Sequence, residues 1–453
     1  MSGPIAVPPR GSTGDALAAR RGRPVRMRSE REARTAALRP ARADDPVDTL
    51  AAELADDVGA AVHPYEVAAL LEAQGMSGER IRETYLHPDL FSLAEAVYRR
   101  VPRLYPDPPV PANPWRPDHA RCALRGLLFA LPGTAYLLAA GMWGGASGLR
   151  GLVVAALVSW AWMQGLSHRA YVRLAVGRRE AARTLAVGAP LGALVAAGAG
   201  VMVAGPGPGA SFAVGQSAYL AAGGVLLILG REWLLAAALT PMTAVAATLL
   251  WWQPPSAVRV GVLVVSLELA VAAAALVLVR ALRAEPSPGP KPSLLHSLPY
   301  ALFGFAAGAM TFYLGRQHPY SVVALTLSMG LAEWLLYRFR GLAVTALHAS
   351  TTPGGFLLRA TRALVVCAAV YLALLAGGAL AVSGPPAELL GVGAVLWTAL
   401  LLQAFGTAWL PAVITLVAAT TTLVLPAALC TAVAAGLLLV LAVLRLSSPI
   451  AHA

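Results

Sequence analysis

The segment Arg283-Ala-Glu-Pro-Ser-Pro-Gly-Pro-Lys-Pro292 interrupts a long apolar region. Four prolines cannot continue a helix, because each lacks a backbone N–H and its ring clashes with the preceding turn. From Cys122 to Ala453 the chain has no aspartate, and Lys291 is its only lysine. We therefore predict a hinge at residues 284–293 that separates two membrane-embedded halves.

The apolar stretches on both sides of this hinge have the length of membrane spans. A helix needs roughly 20 mainly apolar residues to cross a hydrocarbon core of about 30 Å. The predicted spans before the hinge are 123–143, 149–168, 184–204, 212–230, 233–252 and 258–281. Those after it are 297–315, 320–338, 363–383, 388–407, 409–425 and 427–446. The predicted fold is an all-α polytopic membrane protein with about twelve transmembrane helices in two six-helix bundles. Only the Pro426 region separates the last two stretches, which leaves about ten or eleven spans as an alternative.

The basic residues predict the orientation of these spans. They crowd alternate loops: Arg169, Arg173, Arg178, Arg179 and Arg183; Arg280, Arg283 and Lys291; Arg338, Arg340, Arg359 and Arg362. The intervening loops contain only Arg150, Arg259 and Arg316. By the positive-inside rule, both termini are cytoplasmic and the protein is a multi-pass protein of the cell membrane. The net charge of +12 therefore reflects topology, and we expect the bilayer rather than nucleic acid as its partner.

The region before the first span divides into three parts. Residues 1–45 are an Arg-rich leader with a disordered composition, which either contacts anionic lipid or is shortened by translation from Met27. Residues 46–104 predict a small cytoplasmic helical module, whose last helix turns Leu90, Phe91, Ala94, Val97 and Tyr98 inward. Residues 105–118 form a Pro-rich connector. Membrane bundle 1 then covers 119–283, and membrane bundle 2 covers 294–453.

The two halves share weak sequence similarity. Leu131-Pro132 and Met163-Gln-Gly165-Leu166 in the first half are matched by Leu298-Pro299 and Met329-Gly330-Leu331 in the second. Because an even number of spans separates the two series, both would enter the membrane from the same side. This pattern indicates parallel repeats related by an axis along the membrane normal.

Two segments carry a resemblance to a known transporter group. The first is Gly165-Leu-Ser-His-Arg-Ala-Tyr-Val-Arg-Leu-Ala-Val-Gly-Arg-Arg-Glu-Ala-Ala-Arg-Thr-Leu185, and the second is Leu229-Gly-Arg-Glu-Trp-Leu-Leu235. They resemble the multidrug/oligosaccharidyl-lipid/polysaccharide flippases, in which a basic amphipathic segment follows the second span. The missing aspartate argues against the signature of the major facilitator proteins. The resemblance implies alternating access between two bundles, and the Arg- and Ala-rich composition is typical of an actinobacterial genome.

Two acidic and three amide side chains within the spans are candidate transport or cavity residues. Inserting an ionisable group into the hydrocarbon core costs about 2.5–3.5 kcal/mol, so each such group indicates a functional or structural role. Glu268, near the middle of the sixth span, is a candidate coupling carboxylate or a hydrogen-bonded helix lock. Glu333 is a cavity candidate or the partner of Arg338 or Arg340, whereas Glu232 at a span end is expected to be solvated. The amides either bond across helices or line a polar cavity: Gln164, Gln216 and Gln403.

The sequence predicts neither an enzyme nor a cofactor. It has no Walker loop, no catalytic triad and no His pair at metal-ligand spacing. The hypothesis is therefore a transporter or flippase that moves a lipid-linked saccharide or amphipathic solute. The alternative is a non-transporting scaffold or partner protein of a cell-envelope assembly.

Overall fold

A computed structural model of the chain describes residues 45–102, 115–289, 292–350, 352–382 and 386–448. The predicted leader, apart from Asp45, and most of the Pro-rich connector lie outside these residues. The chain divides into two compact units, Arg10–Asn113 and a second that runs from Pro114 to Ala453. All regular secondary structure in the described residues is helical. The prediction of an all-α protein is confirmed for this part of the chain.

The described residues of the smaller unit form five short helices around their own core. They are α1 (Pro46–Glu53), α2 (Ala55–Val58), α3 (Pro64–Ala73), α4 (Gly78–Glu83) and α5 (Leu90–Arg100). Asp45, His63, Ser77 and Asp89 accept backbone N–H groups at the starts of four of them. The prediction for α5 was wrong at Phe91, which is exposed and meets Tyr65 edge-on. Leu93, Ala94 and Val97 fill the core instead.

The described residues of the larger unit, which we call the apolar unit, form thirteen helices. Those before the hinge are α6 (His119–Ala130), α7 (Gly133–Leu138), α8 (Ala146–Val176), α9 (Arg178–Ala204), α10 (Pro208–Ile228), α11 (Glu232–Thr248) and α12 (Ser256–Leu282). Those after it are α13 (Leu294–Gln317), α14 (Pro319–His348), α15 (Pro353–Ala381), α16 (Pro386–Ala404), α17 (Trp409–Thr421) and α18 (Ala427–Leu446). We refer to residues 115–289 as the first half and to residues 292–448 as the second half.

Nine of the described helices are long and apolar enough to cross a membrane. They are α8, α9, α10, α12, α13, α14, α15, α16 and α18. The other three predicted spans form shorter helices. The helix is interrupted between α6 and α7 at Leu131-Pro132, because proline has no N–H to continue the helical hydrogen bonds. Helices α11 and α17 have 17 and 13 residues, respectively.

Two helices continue well past their predicted ends. α8 runs to Val176 and α14 to His348, so the basic segments expected as loops after spans two and eight are helical. These extensions have an apolar face of their own, because Ala170 in α8 and Phe339 and Ala343 in α14 are fully buried. A continuing buried face favours one more helical turn over a loop.

Each half has a separate hydrophobic core and a similar packing order. The core of the first half is formed by buried residues from Leu128 to Val277 in the chain. The core of the second half is formed by buried residues from Phe303 to Leu446, and Trp115 also packs into it. In the first half, α8 packs on α9 and α10, α9 on α10 and α12, and α11 on α12. In the second, α14 packs on α15 and α16, α15 on α16 and α18, and α17 on α18. Between the halves, α6 crosses α14 and α8 crosses α13.

Arginine side chains of α8 and α9 hold the predicted hinge. Arg179 donates a hydrogen bond to the carbonyl of Ala284, and Arg173 donates one to that of Gly289 at 2.8 Å. Arg169 donates to the carbonyl of Pro292 at 2.9 Å. Residues 290–291 lie outside the described part of the chain. The described hinge residues are therefore anchored to the first half.

Candidate functional site: a buried ion-pair cluster between the halves

Helices α6 and α14 cross with their backbones in close contact. A Cβ atom added to Gly330 would lie 2.5 Å from the carbonyl oxygen of Cys122 and 2.9 Å from the Cα of Gly126. A Cβ added to Gly126 would lie 3.0 Å from the carbonyl oxygen of Leu327. Only glycine on both helices permits this approach. The crossing brings polar side chains near these glycines, Arg125 and Glu333, within hydrogen-bonding distance of each other.

Arg125 lies at the centre of these side chains. Its Nη1 donates to Glu333 Oε1 at 2.5 Å, and its Nη2 donates to Glu232 Oε1 at 2.7 Å. The same guanidinium donates through Nε to Glu232 at 3.0 Å and through Nη2 to the Leu227 carbonyl at 3.3 Å. All three charged residues are buried. Arg125 thus joins α6 and α11 of the first half to α14 of the second.

The turn between α10 and α11 places Glu232 in this cluster. The Arg231 N–H donates to the Leu226 carbonyl at 2.8 Å, and the Gly230 N–H donates to that of Leu227 at 3.3 Å. These two bonds form a Schellman motif that ends α10, and it requires the left-handed φ of +69° at Gly230. Glu232 then begins α11 and turns inward towards Arg125.

Arg121 completes the cluster one turn before Arg125. Its Nε donates to Glu232 Oε1 at 2.8 Å, while its side chain remains 45% exposed. Two arginines therefore face two glutamates, so the formal charges of the cluster cancel. Because buried charges are tolerated only when paired and hydrogen-bonded, the cluster depends most on its three buried members, Arg125, Glu232 and Glu333. Glu333 Oε2 has no hydrogen-bond partner among the described residues.

A second crossing between the halves has different chemistry. At α8–α13, Gly304 faces the backbone carbonyl of Trp160 and the side chain of Gln164. His168 stacks on Tyr300 with ring centroids 4.1 Å apart, and its Nδ1 lies 3.0 Å from Ser297 Oγ. No ion pair within 4 Å joins the described residues of these two helices.

Glu268 lies elsewhere, on the exposed face of α12. Its exposed neighbours are apolar, among them Val264, Val265 and Leu269. No hydrogen bond or ion pair joins Glu268 to another described residue. The structure therefore places this carboxylate on the outer surface of the apolar unit and away from the cluster.

The three predicted amides lie at three separate sites. Gln164 packs in the α8–α13 crossing. Gln216 accepts a hydrogen bond from Tyr136 at 2.6 Å and donates one to the Leu152 carbonyl at 3.0 Å, so it bonds across helices of the first half. Gln403 is buried in the last turn of α16, and its Nε2 has no partner among the described residues.

Two expectations about acidic residues were wrong. Glu232 is 5% exposed rather than solvated, because Arg121 and Arg125 neutralise it. Glu333 pairs with Arg125 rather than with Arg338 or Arg340. The Arg340 guanidinium lies 3.8 Å from the centroid of the Trp115 ring and donates to the Ala404 carbonyl at 3.5 Å, so it is directed away from Glu333.

Sequence reasoning overlooked Arg125. An arginine near the start of an apolar stretch is usually a headgroup anchor, so Arg125 does not stand out in the sequence. The available signal was its spacing: Arg121 and Arg125 share one face of a helix, next to a glycine that permits close packing.

The described residues contain no group of three or more His, Cys, Asp or Glu side chains that could hold a metal ion. No family model, curated protein or solved structure matches the chain. Interpretation of the ion-pair cluster therefore rests on its geometry.

Proposed function

We propose that the protein is a membrane transporter of the flippase type, in which the Arg125–Glu333 pair closes one side of a pathway between two six-helix bundles. About twelve spans would form these bundles, with α6 and α7 together as the first span. The predicted topology places the closed side towards the cytoplasm. Alternating access would open this side by separating α6 from α14.

The observation that carries this proposal is the buried ion pair between the halves. Outside this cluster, the ion pairs that the described buried carboxylates of the apolar unit form stay within one half, as Arg173 with Glu180 does. A buried ion pair holds two helices together while it is formed. Once the halves separate, water or a substrate can hydrogen-bond to each partner. Such a contact has two discrete states, which alternating access requires.

The packing order of the helices supports two related bundles. The contacts α6–α14 and α8–α13 exchange if each helix of one half is replaced by its counterpart in the other. Gly165 and Gly330, which the sequence comparison aligns, both lie at these crossings. This arrangement favours a parallel repeat related by an axis between the halves.

Arg125 also bears on the class of solute. A lipid-linked saccharide that carries phosphate needs a cation along its path. Separation of α6 from α14 would release one branch of the Arg125 guanidinium from Glu333, and a guanidinium binds phosphate oxygens well. We therefore favour a phosphate-linked lipid saccharide over a neutral solute.

The exposed Glu268 favours a second function. A carboxylate on a lipid-facing surface is costly unless another helix covers it. A partner protein that donates a hydrogen bond to Glu268 would explain its position without any transport. In this alternative, the apolar unit is a scaffold of a cell-envelope assembly, and the ion-pair cluster only holds its halves together.

Flipping in proteoliposomes tests the proposal. Vesicles would contain a fluorescently labelled polyprenyl-diphosphate saccharide, and membrane-impermeant dithionite would quench the label in the outer leaflet. We expect wild-type protein to expose more than the outer-leaflet fraction. Glu333→Gln should slow this exchange by about tenfold or more, because the variant can no longer favour the closed state.

Glu285→Gln is the matched control, because Glu285 is an exposed glutamate of the hinge. It should flip the lipid at the wild-type rate. If dithionite quenches no more of the label in vesicles with wild-type protein than in protein-free vesicles, the proposal that the protein transports this class of lipid is wrong. Equal rates for wild type and Glu333→Gln would remove Glu333 from the mechanism.

A further inference from the structure

A basic pocket opens beside the ion-pair cluster, between the start of α11 and the end of α12. It has a volume of about 610 Å³, and its lining includes Arg178, Arg231, Arg280, Trp233 and Leu234. A second cavity of about 470 Å³ adjoins it and shares Arg178, Arg231 and Trp233. The pocket lies within the first half, on the side predicted to be cytoplasmic.

The pocket has an excess of positive charge. Arg178, Arg231 and Arg280 are all exposed, and no described carboxylate lies within 4 Å of their guanidinium nitrogens. Glu232 also lines the pocket, but Arg121 and Arg125 already pair with it. Three cations therefore line one space, and none of them forms an ion pair with a described carboxylate, although Asp118 lines the adjoining cavity.

The start of α11 adds to this field. Arg231 is the N-cap residue, and its side chain makes no capping hydrogen bond. The positive end of the helix dipole consequently favours an anion at this position. Arg178 is held in place by a hydrogen bond from its Nη2 to the Leu229 carbonyl at 3.1 Å.

The rim of the pocket is apolar. Trp233 is 73% exposed, and Leu234 is exposed next to it in the lining, while Leu276 and Val279 are exposed on α12. Tryptophan prefers the headgroup level of a bilayer, where its ring is buried and its N–H meets polar groups. A ligand here would thus have an anionic head between the arginines and an apolar part along the helices.

We propose that this pocket binds the phosphate headgroup of an anionic glycerophospholipid from the adjoining leaflet. Basic pockets at the cytoplasmic ends of membrane helices are suited to such headgroups. The phosphate contacts Arg231 and Arg280, and the acyl chains follow the outer faces of α11 and α12. Binding at this site is independent of transport by the protein.

Native mass spectrometry of the full chain in neutral detergent tests the proposal, with phosphatidylglycerol as the probe and phosphatidylcholine of the same acyl chains as the reference. We expect preferential retention of phosphatidylglycerol. The double variant Arg231→Gln/Arg280→Gln should weaken its binding by roughly thirtyfold, because each arginine near a headgroup contributes about one factor of five. Arg150→Gln/Arg316→Gln removes two exposed arginines predicted on the other side, and it should bind as wild type does.

Three results of the binding measurement would overturn the assignment. The first is unchanged binding by Arg231→Gln/Arg280→Gln, and the second is an equal loss in the control variant. The third is displacement of the lipid by glycerol phosphate at the same concentration, which would indicate a site for soluble phosphate.

A photoactivatable phosphatidylglycerol gives a second readout in the wild-type protein, where cross-links should fall on residues 229–234 or 277–284. Cross-links elsewhere would also contradict the proposal.

Discussion

The two crossings between the halves share a glycine spacing in the sequence and differ in their chemistry. In α14, Glu333 follows Gly330 by one helical turn and pairs with Arg125 of α6. In α8, His168 follows Gly165 by the same interval, but it stacks on Tyr300 and bonds to Ser297 of α13. One crossing is therefore held by charge, and the other by neutral packing.

This difference indicates where the halves can separate. Paired charges are strongly destabilised when one partner is removed, yet both are well solvated when water enters. A neutral stack has no such alternative state. We infer that the α6–α14 crossing opens during function and that the α8–α13 crossing stays closed as a pivot.

The largest expected effect comes from the loss of Arg125. Arg125→Gln leaves Glu333 buried without a cation and removes one of the two that neutralise Glu232. We expect a loss of about 3–5 kcal/mol in the free energy of unfolding, measured by denaturant titration in detergent micelles. Arg121→Gln is the matched control from the same helix face. Because Arg121 is 45% exposed, it should cost no more than about 1 kcal/mol. Equal losses in both variants would contradict the central place of Arg125.

Alanine at the two crossing glycines should have unequal effects. In Gly330→Ala the new Cβ would meet backbone atoms at 2.5–2.9 Å, whereas in Gly165→Ala it would lie 3.3 Å from the Ala301 Cβ. Contacts this short force the two helices apart, so Gly330→Ala should cost about 1–3 kcal/mol, whereas a contact at 3.3 Å needs a shift of only a few tenths of an ångström. Gly165→Ala should cost less than about 1 kcal/mol. Thermal unfolding of both variants measures the difference, and the reverse order would disprove the close approach at Gly330.

The smallest effect is expected at the neutral crossing. Ser297→Ala removes the hydroxyl that lies 3.0 Å from His168 Nδ1 and leaves the stack on Tyr300 intact. A single hydrogen bond between membrane helices contributes about 0.6 kcal/mol on average, so the midpoint of unfolding should shift only slightly. The shift should be the same at low and high salt, because no charge is lost. A loss as large as that of Arg125→Gln would remove the contrast between the crossings.

The sequence predicts the helices well because length and hydropathy depend on local composition. Among the described residues, nine predicted spans form helices of membrane length, and Pro132 marks a break in the first predicted span, which is not one of the nine. The predicted ends failed at Val176 and His348, because buried residues such as Phe339 continue a helix into a basic segment. Long-range packing decided those ends, and hydropathy alone does not report it.

The ion-pair cluster could be predicted only in part. Glu333 was recognised because a carboxylate in an apolar stretch is conspicuous, but its partner lies 208 residues earlier in the chain. Pairing with Arg338 or Arg340 was expected because nearby residues on one helix are the default partners. The close approach of Gly126 and Gly330 brings Arg125 nearer, and one sequence does not reveal which glycines meet.

Double electron–electron resonance tests the opening of the α6–α14 crossing most directly. Spin labels would replace Ala175 at the end of α8 and Arg359 near the start of α15, two exposed positions on the same predicted side. Cys122, Cys367 and Cys430 would be replaced by alanine. Wild type and Glu285→Gln should give one dominant distance, and Glu333→Gln should add a major population at longer distance. If Glu333→Gln gives the wild-type distribution, the Arg125–Glu333 pair does not close the two halves.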